Sequence, residues 1–285
     1  MRVYLNGRYM DAEQATVPVT DRGFLFGDGV YDVVRSAGSE LIEVDRHLRR
    51  ITRGLHELRI ALGADRIAEL RDISQTLLRD NHVEGDAIVY WQVTRGAAPR
   101  THQFPPSGTA PTVYVIASPI ALPHALRRRG SSVITVPDVR WSRCDIKSVN
   151  LLPNVLAKQQ AVDAEADEAI FVRNGVIMEA ASSSVFAVLD GELRTHPLTT
   201  AILPGITREI VLELASELRL PLREFPILAQ DVPRATEMFF TSTVNDIMPI
   251  VRVDGRSIGT GRPGPITQQM YTAFAERIGA VVGTH

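Results

Sequence analysis

The spacing of apolar residues predicts the elements of the first part of the chain. The Asn6-Gly7 dipeptide after residues 3–5 predicts an opening β-hairpin, because Asn-Gly favours the tight turns that join antiparallel strands. Strands are expected at residues 30–34, 87–94 and 112–117, where β-branched and aromatic residues are frequent. Apolar residues at helical spacing predict two amphipathic helices, built on Leu48, Ile51, Leu55 and Leu58 and on Ile67, Leu70, Ile73 and Leu77.

The second part of the chain is richer in turn signals and predicts more hairpins. These are expected at Asn174-Gly175, Asp190-Gly191 and Asp254-Gly255. The other expected elements are a strand at 132–136, a helix at 152–164, a helix from Ile206, strands at 238–241 and 247–251, and a C-terminal helix. Helices and hairpins are mixed without the strict alternation of a doubly wound sheet, so the predicted class is α+β.

A boundary is expected where Pro119 and Pro123 interrupt the pattern, since proline resists both helix interiors and central strands. The prediction is a small N-terminal α/β domain of residues 1–118, a linker at 119–123, and a larger, β-rich C-terminal domain of residues 124–285.

Composition narrows the class of protein. Hydrophobic residues make up 45% of the 285 residues and charged residues 22%, as is ordinary for a soluble globular protein. A formal net charge of −2 offers no basic domain for nucleic acid, and the Arg127-Arg128-Arg129 run is best interpreted as a solvated face. One cysteine, Cys144, excludes an intrachain disulfide and favours a reducing compartment. With no apolar signal core and no run of roughly 18 uncharged apolar residues, the predicted location is cytoplasmic.

Lys147 is the first candidate for chemistry, because a lysine amine forms a stable imine with an aldehyde cofactor. Lysines are few in this chain, and this one lies between Ile146 and an apolar stretch. Glu179 follows an apolar strand, where a buried carboxylate would need a partner such as a protonated pyridine nitrogen. Most lysines are solvated, however, and Glu179 fits an edge strand in water equally well.

Two further groups of residues suit anionic ligands. Pro204-Gly205-Ile206-Thr207 opens a helix, whose free N–H groups favour phosphate, and Ser242 and Thr243 add hydroxyls after a strand. Arg100 and His102, in the loop after the strand at 87–94, suit capture of a carboxylate. Each set of residues also has an ordinary explanation when it is taken alone. The run at 204–207 fits a simple helix cap, Ser242 and Thr243 fit a turn, and Arg100 and His102 fit a surface loop.

Longer stretches of the chain resemble a known family, the D-amino-acid transaminases of the fold-type IV pyridoxal-phosphate enzymes. The resemblance runs from the N-terminal hairpin to the last helix and is best in residues 21–31, 92–104, 144–159 and 195–208. It implies the two-domain fold-type IV architecture, pyridoxal 5′-phosphate as cofactor, no metal, and a homodimer.

The resemblance also implies a role for individual residues. Lys147 would form the Schiff base, and Glu179 would face the pyridine nitrogen. Tyr31, Arg100 and His102 would hold the substrate carboxylate, the last two on a loop from the partner subunit. The remaining cofactor contacts, to the phosphate or the ring, would come from Arg50, Ser182, Ser183, Leu203, Ile206, Thr207, Ser242 and Thr243.

Some positions depart from the family pattern. Ala180 and Ala181 follow Glu179 where a glycine and a serine are usual, and Ser184 replaces an asparagine. Asp32 is one methylene shorter than the acid usually found after the tyrosine. These differences affect the fine adjustment of the cofactor contacts.

The predicted function is transfer of the amino group of D-amino acids, of the D-alanine type, to 2-oxoglutarate or pyruvate by a ping-pong mechanism. The alternatives within the same fold are an (R)-amine or branched-chain L-amino-acid transaminase and an aminodeoxychorismate-type lyase. Arg100 and His102 favour an acid substrate over an amine. A non-catalytic cofactor-binding protein would also be yellow, but would not turn over substrate.

Overall fold

The chain divides into two compact units, which we describe separately. A computed structural model describes residues 1–279. The first unit is Met1–Ala121 together with Ile146–Leu151, and the second is Leu122–Asp145 with the residues from Leu152 onward. The segment that carries Lys147 thus groups with the first unit, although it lies far beyond the expected linker at 119–123. The predicted domain boundaries stay a prediction, and residues 280–285 of the predicted second domain lie outside the described residues.

The first unit is built on a six-stranded antiparallel sheet. Its strands are β1 (Arg2–Leu5), β2 (Arg8–Asp11), β3 (Gly29–Ala37), β4 (Glu40–Leu41), β5 (Asp86–Thr94) and β6 (Thr112–Pro119), in the order β2-β1-β6-β5-β3-β4. Its helices are α1 (Arg22–Phe26), α2 (Val44–Glu57) and α3 (Ala64–Asp80), with a 3₁₀ turn at Ala12–Gln14.

One face of this sheet packs against α2 and α3 and forms the core of the unit. Trp91 on β5 is fully buried there, and its indole N–H donates to Ser74 Oγ on α3 at 2.8 Å. Loss of such a side chain costs roughly 3–5 kcal/mol. Because side chains alternate across a strand, Tyr31, Tyr90 and Gln92 lie on the other face, where residues are only half-buried.

The second unit contains, among the described residues, a ten-stranded mixed sheet in the order β12-β11-β10-β14-β15-β7-β8-β9-β13, with β16 paired to β15. The strands are β7 (Ser131–Pro137), β8 (Glu168–Arg173), β9 (Val176–Ala180), β10 (Ser184–Leu189), β11 (Glu192–Thr195), β12 (Leu222–Glu224), β13 (Ile227–Leu228), β14 (Glu237–Ser242), β15 (Asp246–Val253) and β16 (Arg256–Ser257). The helices are α4 (His124–Arg129), α5 (Leu152–Asp163), α6 (Ile206–Glu217) and α7 (Pro265–Arg277), with a 3₁₀ segment at Ala229–Arg234.

Helices cover the second sheet in two places. Helices α6 and α7 pack against Phe186 and Phe239, whose rings stack at 4.8 Å. Helix α5 buries Ala157 and Ala161 beside Phe171. The opposite stripe of α5 is apolar but exposed, at Leu152, Val155, Leu156 and Val162.

The local signals in the sequence predicted these elements well. At Asn6-Gly7, Asn174-Gly175, Asp190-Gly191 and Asp254-Gly255, both residues have positive φ, and each pair joins antiparallel neighbours. That conformation is the one that Asn-Gly and Asp-Gly favour. Helix α1 was not predicted, because it is a single turn, capped by Asp21 and ended by Gly27 in the left-handed conformation. Within residues 1–279, none of the helices is long and apolar enough to cross a membrane.

Candidate active site

Lys147 lies beside strand β3 of the first unit, and the backbone fixes its position. The Tyr31 N–H donates to the Lys147 carbonyl at 2.9 Å, and the Val149 N–H donates to the Gly29 carbonyl at 3.1 Å. Ile146 joins the apolar core, so the lysine side chain starts from an anchored segment. Its Nζ lies 3.3 Å from the Tyr31 hydroxyl and 4.4 Å from the centre of the Tyr31 ring. The structure therefore brings together two of the predicted site residues.

Tyr31 in turn belongs to a row of polar aromatic side chains on the half-buried face of the sheet. Its ring stacks on Tyr90 at 5.6 Å, and the Tyr90 hydroxyl donates to Gln92 Oε1 at 2.7 Å. Tyr114 follows at 6.4 Å from Tyr90. Burial raises the pKa of Tyr90 and of Tyr114, so both remain protonated donors.

Behind Tyr31, on the helix side of β3, the fully buried Asp32 binds two cationic or polar side chains of α2. Arg50 donates to it through Nε at 2.9 Å and Nη2 at 2.7 Å, and His47 Nδ1 lies 2.7 Å away. Burial opposes ionisation, but Arg50 and His47 outweigh it and lower the pKa of Asp32. Burial also lowers the pKa of His47, more than Asp32 raises it, which favours the neutral ring.

Periodicity could not separate Arg50 from the other arginines of α2, whereas the structure distinguishes them. Arg46 pairs with Glu43 at 2.8 Å, and Arg53 is exposed. The Arg50 guanidinium is held against the buried Asp32. His47 was missed from the sequence, although its spacing from Arg50 places both on one face of a helix.

Arg100 and His102 lie on an exposed loop after β5. Both approach the ring of Phe26, with the Arg100 guanidinium carbon 5.3 Å and the His102 ring 5.7 Å from its centre. The two predicted carboxylate-binding side chains are therefore close to each other on the surface of the first unit.

In the second unit, both oxygens of the buried Glu179 carboxylate are bound. Arg140 Nη1 donates to Oε1, and the Leu203 N–H donates to Oε2 at 3.1 Å. Arg140 also forms a two-point pair with Asp138, at 2.9 and 3.0 Å, and lies over the Phe171 ring at 4.3 Å. Burial opposes the charge on Arg140, but Asp138 and Glu179 raise its pKa.

Arg140 and Asp138 were missed from the sequence. The signal available was indirect: a glutamate at the end of an apolar strand needs a partner if it is buried. Arg140 lies in the loop after β7, shortly before Lys147 in the chain. Nothing in its immediate neighbours indicates that it reaches Glu179, 39 residues further on.

Several donors near α6 and the end of β14 have the chemistry that a phosphate needs. Among the described residues, no side chain caps α6 at Gly205, so its first N–H groups, at Ile206 and Thr207, are available to an anion. A Cβ at Gly205 would come within 2.7 Å of Ser184 Oγ, so glycine permits a close approach there. The buried hydroxyls of Ser183 and Thr241 have no hydrogen-bond partner within residues 1–279. Such unsatisfied groups fit a site that a ligand completes.

The other predicted cofactor residues have ordinary local contacts. Ser182 is exposed and donates to Glu168 Oε2 at 3.3 Å. Ser242 Oγ accepts from the Asn245 N–H at 3.1 Å in the turn after β14, and Thr243 is half-buried in the same turn. In the part of the chain that the structure describes, no group of three His, Cys, Asp or Glu side chains is arranged to hold a metal ion.

The family model for amino-transferase class IV matches residues 29–253. The chain belongs to the class IV aminotransferases. It is 42% identical to a D-alanine aminotransferase of Bacillus licheniformis, over 98% of this chain and 97% of the relative. A D-alanine aminotransferase of Staphylococcus haemolyticus is 38% identical, over 97% and 98% of the two chains.

Solved structures of class IV aminotransferases share the fold. The branched-chain amino acid aminotransferase of Escherichia coli superposes with a TM-score of 0.89 at 26% identity, over 99% of this chain and 96% of the other. The branched-chain aminotransferase of Thermoproteus uzoniensis, with norvaline, gives 0.89 at 27% identity over the same shares. The predicted fold-type IV α+β architecture is confirmed, and so is the prediction of a pyridoxal-phosphate-dependent aminotransferase.

Proposed function

We propose that this class IV aminotransferase transfers the amino group of D-amino acids, of the D-alanine type, to 2-oxo acids such as 2-oxoglutarate or pyruvate. The observation that carries the proposal is identity of 42% and 38%, over nearly the whole chain, with aminotransferases named for D-alanine. The branched-chain aminotransferases named above are less similar, at 26% and 27% identity. Acid substrates also suit the pairing of Arg100 with His102.

Lys147 is the residue we assign to covalent attachment of the cofactor and to proton transfer. Bound pyridoxal phosphate supplies an electron-withdrawing ring that stabilises negative charge on the substrate α-carbon. The Lys147 amine would remove the α-proton as general base and return a proton as general acid. Tyr31, whose hydroxyl lies 3.3 Å from Nζ, would orient the amine and bind the substrate carboxylate.

Glu179 is the residue we assign to the ring nitrogen. Arg140 and the Leu203 N–H fix both of its oxygens, so the carboxylate is held in one orientation with its charge compensated. A carboxylate held in this way would accept a hydrogen bond from a protonated ring nitrogen. Leu203 itself would pack against the ring.

For the phosphate we propose the residues that the family resemblance assigns to it, and two local features support this. Asp32 holds the Arg50 guanidinium by two hydrogen bonds, which orients it. Helix α6 offers the N–H groups of its first turn. The phosphate residues are Arg50, Ile206, Thr207, Ser242 and Thr243, and Ser182 and Ser183 are further cofactor contacts.

We also propose a homodimer in which the loop bearing Arg100 and His102 serves the partner subunit. Two features of the surface support this. The loop side chains are exposed, and α5 presents an unpaired apolar stripe at Leu152, Val155, Leu156 and Val162. Apolar surface of this kind is typical of subunit interfaces. A cytoplasmic location, inferred from the single cysteine, stays part of the proposal.

The decisive experiment supplies the purified holoenzyme with D-alanine or L-alanine together with 2-oxoglutarate and measures pyruvate. Turnover of D-alanine, with L-alanine at least about a hundredfold slower, is expected, since a site that fixes the carboxylate orients one enantiomer for reaction. Turnover of L-alanine alone would refute the proposal.

The second candidate function is a branched-chain L-amino-acid transaminase, favoured by the TM-score of 0.89 with two enzymes of that name. Replacing alanine by L-leucine and D-leucine in the same assay separates the two. Faster turnover of L-leucine than of D-alanine would support the second candidate.

A further inference from the structure

The chain segment before Tyr31 contains buried charged residues to which the proposed function assigns no role. Arg22 is the first residue of the short helix α1, Asp28 follows the helix, and both are buried or nearly so. We infer that Arg22 is a positioning residue that holds the Arg100–His102 loop ready for the substrate carboxylate. The inference rests on the proposed function, because it concerns the recognition of an acid substrate.

Arg22 contacts the loop at a point between Arg100 and His102. Its Nη1 donates to the main-chain carbonyl of Thr101 at 2.7 Å, across 79 residues of sequence. Thr101 separates Arg100 from His102, so this hydrogen bond fixes the backbone from which both side chains project. The side chain of Arg22 is only 5% exposed, so water competes little for the bond.

Asp28 compensates the charge that Arg22 brings into the interior. Its Oδ2 accepts from Arg22 Nε at 2.8 Å and from Arg95 Nε at 2.8 Å, and its Oδ1 accepts from Arg95 Nη2 at 2.9 Å. Burial raises the pKa of Asp28, but the hydrogen bonds from Arg95 and Arg22 lower it by more. The pKa of Asp28 is therefore below its usual value. The carboxylate therefore holds the Arg22 guanidinium in the orientation that reaches Thr101.

Both ends of the loop are also attached to the same unit. The Ala98 N–H donates to the Thr20 carbonyl at 3.2 Å before the functional residues. After them, the Phe104 ring lies 3.8 Å from the Arg95 guanidinium carbon and 4.5 Å from that of Arg59. Arg22 supplies the attachment in the middle of the loop, where an exposed segment would otherwise sample many conformations.

Phe26 connects Arg22 with the functional side chains directly. The Arg22 guanidinium carbon lies 4.8 Å from the ring centre, and that of Arg100 lies 5.3 Å from it. The His102 ring is tilted against the same ring at 5.7 Å. Arg22 thus acts on the backbone of the loop through Thr101 and on its side chains through Phe26.

Positioning of this kind lowers the entropic cost of binding, because the loop is ordered before the substrate arrives. An effect on binding, with chemistry at Lys147 intact, appears in KM and leaves kcat nearly unchanged. The effect also requires the side chains that it positions, so it should disappear when Arg100 and His102 are both replaced.

The test compares Arg22→Met with the unsubstituted holoenzyme and with Arg2→Met, a control in which a half-exposed ion pair with Asp80 in the same unit is lost. We expect Arg22→Met to raise the KM for D-alanine about tenfold, with kcat within about threefold. In an Arg100→Leu, His102→Leu background, Arg22→Met should change kcat/KM by less than about twofold. Arg2→Met should behave as the unsubstituted enzyme.

Amide hydrogen exchange of peptides covering residues 97–104 gives a readout that does not depend on activity. Exchange should be about tenfold faster in Arg22→Met and unchanged in Arg2→Met. Unchanged exchange, an unchanged KM, or additive effects with the Arg100→Leu, His102→Leu pair would each overturn the inference. If Arg22→Met fails to fold, Arg22→Lys keeps a cation beside Asp28 but lacks the guanidinium that also reaches Thr101, and it should still raise KM; an unchanged KM there overturns the inference as well.

Failure of the proposed function has a different signature. It appears as absent D-alanine turnover in the unsubstituted enzyme, before any variant is compared. Hydrogen exchange then still decides whether Arg22 holds the loop.

Discussion

Arg140 joins Glu179 to Asp138, so that one buried guanidinium serves two carboxylates. It donates to Glu179 through Nη1 and to Asp138 through Nε and Nη2. Its side chain is 5% exposed, and the side chains of Glu179 and Asp138 are 8% and 0% exposed. Arg173 adds a bond to Asp138 at 2.9 Å. The charges of the group therefore balance without water.

Removal of Arg140 should destabilise the protein strongly. In Arg140→Met, Glu179 and Asp138 lose their shared cation, and breaking a buried pair typically costs about 3–5 kcal/mol. We expect a loss of about 3 kcal/mol in the free energy of unfolding, measured by urea denaturation of the holoenzyme. The kcat should also fall, because Glu179 loses the contact that Arg140 provides.

The matched control is Arg129→Met. Arg129 pairs with Asp167 at 3.0 Å, but its side chain is 62% exposed. Exposed pairs contribute about 0–1 kcal/mol, so the control should lie within that range. Equal losses in the two variants would contradict the role of Arg140.

The chain contains only two lysines, Lys147 and Lys158, which permits a direct test of cofactor attachment. Borohydride reduction of the holoenzyme should fix the cofactor on the peptide that contains Lys147, as mass spectrometry of the digest would show, because an imine reduced to an amine no longer hydrolyses. Lys147→Ala should lose both the label and turnover. Lys158→Arg, at a half-exposed ion pair with Glu168, should keep both. A label on Lys158 would disprove the assignment.

The ionised Asp32 should make the free energy of unfolding depend on pH. Its pKa is lowered in the native protein, so the unfolded state binds the proton more readily and stability falls as the pH drops. The contribution is complete above the unfolded pKa of about 3.9 and is lost progressively below it. In Asp32→Asn this contribution is absent at every pH. The stability difference between the two proteins should therefore narrow by about 1 kcal/mol between about pH 7 and about pH 3.

Urea denaturation of both proteins across that pH range measures the difference. The apo-proteins serve as a control for cofactor release, since the buried pair lies within the first unit and does not require the cofactor. A difference that stays constant with pH would show that the pKa of Asp32 is not lowered in the native protein.

The exposed stripe on α5 should be a subunit contact. An arginine at Leu156 places a charge in an apolar interface, which costs several kcal/mol unless it finds a partner. Leu156→Arg should raise the dimer dissociation constant at least about a hundredfold, which corresponds to about 2.7 kcal/mol. Sedimentation velocity across a dilution series measures it.

Thr272→Arg introduces the same charge at an exposed position of α7 and should leave the dimer intact. If Leu156→Arg and the unsubstituted protein sediment identically at all concentrations, the stripe is not the contact that we propose.

Patterns among neighbouring residues gave the most reliable predictions of secondary structure. The turn at Asn174-Gly175 and the amphipathic spacing of α2 depend on residues close together in the chain, and both agree with the structure. The resemblance in residues 21–31, 92–104, 144–159 and 195–208 also identified the family and the cofactor. The one-turn helix α1 escaped prediction, because its few residues carry no period and its cap at Asp21 is contributed by a single side chain.

The sequence by itself determined the class of protein, most of its helices and hairpins, and the residue types needed for pyridoxal phosphate chemistry. Only the tertiary structure decided how those residues are held: Asp32 by His47 and Arg50, Glu179 by Arg140, and Thr101 by Arg22. The physical reason is distance along the chain. Periods and turns depend on neighbouring residues, whereas a buried charge finds its partner wherever folding places one, here up to 79 residues away.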